Sequence, residues 1–166
     1  VAKKMINRYG LNQASSVLQI GCDKGFLIEA FHELLPKMKL CGTDVSEYAI
    51  NSSSSKIKKF LQIAPFTEIP FADASFDLVV AIGPVYALNL GDAIKCLKEI
   101  IRVSKGRSFI TLGAYESEED FKLFRYWTLL GTTILRKDEW LSVLKHVNYM
   151  GDYKFNTAKT LNLTDE

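Results

Sequence analysis

The chain has 166 residues, 48% of them hydrophobic and 24% charged, with 21 basic against 19 acidic residues and a formal net charge of +2. That length carries one domain with a sizeable core, and so even a charge balance leaves no footprint for nucleic acid or an anionic membrane surface. Three cysteines, Cys22, Cys41 and Cys96, are an odd number set in or beside apolar segments, which argues against a disulfide framework and for a reducing, cytoplasmic setting.

The chain opens in what already reads as a helix, Val1–Tyr9, stopped by Gly10. From this, residues are expected to be missing upstream. No apolar run is long enough for a membrane span, and no signal peptide is visible. Val17–Ile20 reads as a first strand, and Phe26 to Leu35 as an apolar-striped helix that Pro36 ends. Leu40–Thr43 is a second strand closed by Asp44. Ser46 is placed to cap a helix through Ile57, although the serine run Ser52–Ser55 is poor helix material. Phe60–Ala64 is a short third strand, and Pro65–Ser75 a loop. Phe76–Ile82 reads as a central parallel strand buried on both faces, broken by Gly83-Pro84. Asp92 opens a helix, Ser108–Leu112 is a fifth strand, and Ser117–Leu130 and Lys137–Val147 are further helices. Tyr153 and Phe155 alternate with polar residues as a half-exposed, antiparallel edge strand would, and Thr160–Leu163 is a candidate for a last short strand. Strands alternating with helices predict one Rossmann-like, doubly wound α/β domain over residues 1–166, with a three-layered, mostly parallel sheet.

The organising stretch is VLQIGCDKGF, Val17–Phe26. A strand, a glycine turn and a helix start bring unpaired helix N–H groups and glycine-exposed backbone towards a ligand. Asp44 follows Gly21 at the distance at which an acidic residue after the second strand meets ribose hydroxyls; the competing role is capping a helix. The glycine spacing lacks the G-x-G-x-x-G that seats a pyrophosphate. Asp23 inside the turn repels a pyrophosphate and welcomes an ammonium group.

These residues resemble the motifs of class I S-adenosylmethionine-dependent methyltransferases. VLQIGCDKGF is similar to V-L-D-x-G-C-G-x-G, and CGTDVSEYAI to the second motif. IPFADASFDLVVAI is similar to the segment entering strand four, and KCLKEIIRVSKG to the helix ending R-V-L-K-P-G-G. Gln19 stands where the family usually has an acid, Asp23 replaces the middle glycine, and Pro65 occupies the place of an acid near the adenine. The resemblance implies S-adenosylmethionine as cofactor. Gln19, Gly21, Cys22, Asp23 and Gly25 would then lie at its methionine part, Asp44 and Val45 at ribose and adenine, Phe66 near the adenine, and Ile82 and Gly83 beside the sulfonium.

The implied activity is methyl transfer to a small-molecule acceptor. The alternative is a degenerate relative that binds cofactor or a partner without catalysis, and a dehydrogenase is a distant third. Gly83-Pro84-Val85-Tyr86 sits where amine-directed members carry N/D-P-P-Y, without the leading Asn or Asp. Tyr86 and Asn89 are the candidates for catalysis, with loop packing and helix capping as their competing roles. Tyr115, Phe121, Phe124, Tyr126 and Trp127 would wall an acceptor pocket, form a homodimer contact or fill the core. His32 and His146 are expected at the surface, and no metal site is expected.

Overall fold

Seven strands form one sheet in the order β3-β2-β1-β4-β5-β6, with β7 also paired to β5. In chain order the strands are β1 (Ser16–Ile20), β2 (Lys39–Asp44), β3 (Leu61–Ile63), β4 (Leu78–Ala81), β5 (Ser108–Tyr115), β6 (Leu135–Arg136) and β7 (Asp152–Asn156). The helices are α1 (Ala2–Tyr9), α2 (Phe26–Leu34), α3 (Glu47–Asn51), α4 (Pro84–Ala87), α5 (Leu90–Val103), α6 (Glu118–Trp127), α7 (Lys137–His146) and α8 (Ala158–Leu161). The computed structural model describes residues 1–164.

The central strands are apolar without interruption because both of their faces are buried. Leu18, Ile20, Val79 and Ala81 enter one core layer with α5 and α7, through Leu97, Ile100, Trp140 and Leu144. Val17, Leu78 and Val80 enter the opposite layer with α1 and α2, through Met5, Ile28 and Phe31. The chain runs β1 to β2 to β3 in one direction and then crosses to β4 on the other side of β1. That reversal opens a crevice beyond the carboxyl ends of β1 and β4, the place where such sheets bind ligands. Gly21 lies at the end of β1, and Ile82-Gly83 at the end of β4.

Four expectations are corrected. The edge strand β7 is parallel to β5, with Phe109 beside Asp152 and Gly113 beside Asn156. Every strand pairing among the described residues is parallel. The reason is the crossover: α7 lies between β6 and β7, and a helical crossover returns the chain in the same direction. The helix capped by Ser46 ends at Asn51 rather than Ile57. Ser53 turns its hydroxyl back onto the Ile50 carbonyl, the local competition that makes serine a poor helix interior. The strand β4 ends before Gly83-Pro84, whose break is shortened because Pro84 starts the short helix α4 where loop was expected. Residues 158–161 form α8, with Thr157 as its cap, where a last strand was expected.

Candidate active site

The glycine turn is folded down onto β2. The Gly21 and Cys22 amides both donate to the Thr43 carbonyl, at 2.8 and 3.0 Å, and the Gly25 amide closes the turn on the Cys22 carbonyl at 2.8 Å. Asp23 takes a left-handed φ of 48°, which aspartate tolerates better than most side chains. Its amide donates to Asp44 Oδ2 at 2.8 Å, and the Ser46 amide donates to Asp44 Oδ1 at 2.9 Å. Asp44 is buried. One carboxylate therefore ties the turn after β1 to the turn after β2, and each of its oxygens keeps a lone pair for a further donor.

Two cavities meet at this turn. The larger, of about 1040 Å³, has Asp44, Val45, Tyr48 and Phe66 on one side and Tyr86, Leu88 and Trp127 to Leu130 on the other. The smaller, of about 420 Å³, has Gln19, Phe26, Leu27 and Ala30 in its wall. Gly21, Asp23 and Ile82 border both. Gln19 is 7% exposed, and its side-chain oxygen has no hydrogen-bond partner among the described residues. Such an orphaned acceptor is costly to bury unless a donor meets it. No lysine or arginine lines either cavity among the described residues. A third cleft, at Asp77, Lys105 and Arg107, lies at the opposite end of the strands.

The carboxyl end of β4 keeps the groove open. Gly83 has a φ of 104°, and a Cβ there would meet nothing within 4 Å, so it would project into free space. The Gly83 amide donates to Thr111 Oγ1 at 2.9 Å, which fixes this bend to β5. Gly21 is needed for a different reason: a Cβ there would come within 2.9 Å of the Pro84 ring. The Tyr86 ring is largely buried, edge-on to Phe124 at 6.1 Å between centroids, and it borders the groove. The Tyr86 carbonyl accepts from the Thr132 and Thr133 amides, and the Leu88 carbonyl from the Thr133 hydroxyl. These bonds hold the segment after α6 against α4.

Gln19, Gly21, Cys22, Asp23, Asp44, Val45, Phe66, Ile82, Gly83 and Tyr86 are thus brought together around the two cavities. Gly25 and Asn89 play other parts, and Cys22 turns its side chain inward. A Cβ on Gly25 would come within 2.6 Å of Ile57 and 2.8 Å of Leu61, so this glycine serves the packing of α2 against β3 rather than ligand access. The Cys22 side chain is buried in the α1–α2 layer against Gly42. Burial, with Asp44 and Asp23 nearby, pushes its thiol up to about 12. Asn89 caps α5, its Oδ1 accepting from the Asp92 amide at 3.0 Å and its Nδ2 donating to the Asp92 carboxylate at 2.9 Å; it is absent from the groove lining.

The aromatic set is divided as well. Phe124 is core, Tyr115 and Phe121 pack edge to face, Trp127 reaches the groove, and Tyr126 is 87% exposed. His146 is exposed, whereas His32 is half-buried against the edge of Phe60. Sequence reasoning missed Tyr48, which stands in the groove with Lys24 Nζ 5.8 Å from its ring centre, and the run Leu129–Leu130. The signal for Tyr48 was present in its place as the second residue of a helix that starts beside Asp44. Among the described residues, no group of three or more His, Cys, Asp and Glu side chains is placed to hold a metal ion, and no helix is long and apolar enough to cross a membrane.

Residues 17–106, more than half of the chain, match the profile of a family described as "Methyltransferase domain". The chain belongs to that family. The methyltransferase domain is 31% identical over 102 residues to a malonyl-[acyl-carrier protein] O-methyltransferase of Legionella pneumophila, covering 58% of this chain and 36% of the relative. It is 29% identical over 142 residues to a demethylmenaquinone methyltransferase of Bacteroides fragilis, covering 80% and 56%. The chain therefore spans about a third to just over half of these relatives. Among solved structures, the YcgJ protein of Bacillus subtilis superimposes with a TM-score of 0.71 at 21% identity over 88% of this chain and 66% of that one, a likeness of fold.

Proposed function

We propose that this methyltransferase domain binds S-adenosylmethionine in the two joined cavities and transfers its methyl group to a small-molecule acceptor. The observation that carries the reading is the polarity of the lining. Two carboxylates, Asp23 and Asp44, and one orphaned amide oxygen of Gln19 face the cavities, and no basic side chain does. Such a lining suits a ligand with a cationic end and a hydroxyl-bearing nucleoside, and it disfavours a pyrophosphate, which would meet like charge.

When bound, the cofactor supplies an activated methyl group on its sulfonium. The residues of this chain do the rest. Asp44 offers two lone pairs to a vicinal diol, and Val45 and Phe66 offer apolar surface to a base. Gln19 and Asp23 accept from an ammonium group. Gly83 leaves the space beside the end of β4 unfilled, and Ile82 and Pro84 give it rigid apolar walls. Alignment of the acceptor with the methyl group is the main contribution such a site makes to a displacement. Tyr86 and the Trp127–Leu130 segment wall the acceptor side, with the Tyr86 hydroxyl available to orient a polar acceptor atom. Gln19 stands where the family motif it resembles usually has an acid, and Asp23, four positions on, supplies a carboxylate to the small cavity.

Calorimetric titration with S-adenosylhomocysteine and with NAD tests this. Binding of the first with at least tenfold preference is expected. Equal or tighter binding of NAD would overturn the reading. Binding without transfer to any acceptor would favour the non-catalytic alternative.

A further inference from the structure

A further cavity, of about 520 Å³, lies on the other side of Ile82 and is not used by the site above. Its floor is the face of the sheet where β5 and β7 run side by side. Phe109 pairs with Asp152 and Thr111 with Lys154 in the parallel register, so these four side chains form two adjacent rows on one face. Its roof is α1, which contributes Lys4, Met5, Arg8 and Tyr9. One end is closed by a clamp. Arg8 pairs with Asp152 at 2.9 Å, and the Tyr9 hydroxyl donates to the same carboxylate at 2.7 Å. The other end reaches Ile82 and Asn156, at the carboxyl ends of the strands.

The chemistry of this lining differs from that of the first two cavities. Met5, Ile82 and Phe109 are apolar. The one carboxylate, Asp152, is already neutralised by Arg8. Lys4 and Lys154, both exposed, make no hydrogen bond or ion pair among the described residues. The volume lies in the usual range for a small-molecule site, about 300–1,000 Å³. We propose that this cavity binds an anionic amphiphile, its apolar body lying along Met5 and Phe109 and its carboxylate or phosphate head meeting Lys4 and Lys154. The inference does not depend on methyl transfer.

The test uses three ten-carbon probes below their micelle concentrations: decanoate, decyl phosphate and decyltrimethylammonium. Titration calorimetry on the whole chain should show either anion binding at least tenfold more tightly than the cation. The tighter of the two anions identifies the head group. The double variant Lys4→Glu/Lys154→Glu should lose anion binding at least tenfold, and Lys4→Met/Lys154→Met should lose the preference between head groups while retaining apolar binding. Phe109→Asp serves as an independent block of the floor, with circular dichroism to check folding. S-adenosylhomocysteine titrated into the same variants should bind as it does to the unmodified chain, so failure of the cofactor site and failure of this site are read separately. Equal affinity for all three head groups, or anion binding unchanged in the Glu double variant, would overturn the proposal. So would a dimer in sedimentation that the Glu double variant dissociates, since the surface would then belong to a second copy.

Discussion

Asp44 carries two loads at once, and a substitution separates them. Its oxygens receive the Asp23 and Ser46 amides, and the same carboxylate is proposed to receive a ribose. Hydrogen bonds to charged groups contribute about 1.5–3 kcal/mol each. Asp44→Ala should weaken S-adenosylhomocysteine binding tenfold or more and also lower stability, because two turn amides lose their acceptor. Asp44→Asn should recover part of the stability and little of the affinity; calorimetry and urea unfolding on the two variants check both halves. Asp23→Asn keeps a side chain that tolerates the left-handed φ of 48° and removes only charge. Since the Asp23 side chain is exposed, the expected loss of affinity for the sulfonium cofactor is small, up to about 1 kcal/mol or roughly fivefold. Cys22 and Cys96 should resist iodoacetamide at pH 8 in the native chain and react on unfolding, because burial pushes both thiols up to about 12 and the thiolate is the reactive form. At this scale the sequence showed which residues surround the turn but not why each is there. Gly21 and Gly25 look alike in a motif. One is required by the Pro84 ring and the other by Ile57 and Leu61, and those partners arrive from 32 to 63 positions away in the chain.

Helix α5 does more than cover the sheet. Glu99 accepts from the Ile69 amide at 2.7 Å and pairs with Arg102, whose guanidinium also bonds the Ile69 and Phe71 carbonyls and Asp73. This network pins the loop that carries Phe66. Arg102, and then the Ile69 amide, hold the Glu99 carboxyl below its usual range against an opposing burial cost. A depressed carboxyl contributes stability that is present above the unfolded pKa of about 4.3 and is lost as pH falls through the lower folded value. Urea unfolding of the native chain and of Glu99→Gln should therefore differ at pH 7 and converge towards pH 3. Curves that stay parallel over that range would remove the network from the account. The same scale shows where periodicity stops being informative. Alternation at Tyr153 and Phe155 located β7 but carried no direction. Direction came from the α7 crossover, and the helical pattern at Lys137–Val147 between two strands was the cue. The capping serine at 46 was legible, whereas the end of α3 was set by a serine competing for backbone carbonyls.

For the molecule as a whole, the alternation of strands and helices and the position of the crevice were readable because the apolar runs are long and the family motifs recur in sequence from Val17 to Leu112. The side proposed for the acceptor was less so, since the segment from Trp127 to Thr132 folds back on α4 through backbone bonds to Tyr86, and backbone bonds leave no mark in side-chain pattern. A ligand that binds only the folded chain stabilises it by about 2.7 kcal/mol at a hundredfold excess over its Kd. S-adenosylhomocysteine at that excess should raise the melting temperature by several degrees, and NAD at equal concentration should leave it unchanged; differential scanning fluorimetry suffices.

Ile82 borders all three cavities at the switch point. It stands between the cavity under α1 and the two that meet at the glycine turn. Compartments separated in this way hold their contents independently while the wall is bulky and begin to exchange them when it is trimmed. Ile82→Ala would open the cavity under α1 to the two that already meet at the glycine turn, so a ligand lodged under α1 would sense whether the proposed nucleoside side is filled. In the unmodified chain the two should bind without regard to each other, and the size of a single aliphatic residue would decide whether this fold behaves as separate sites or as one.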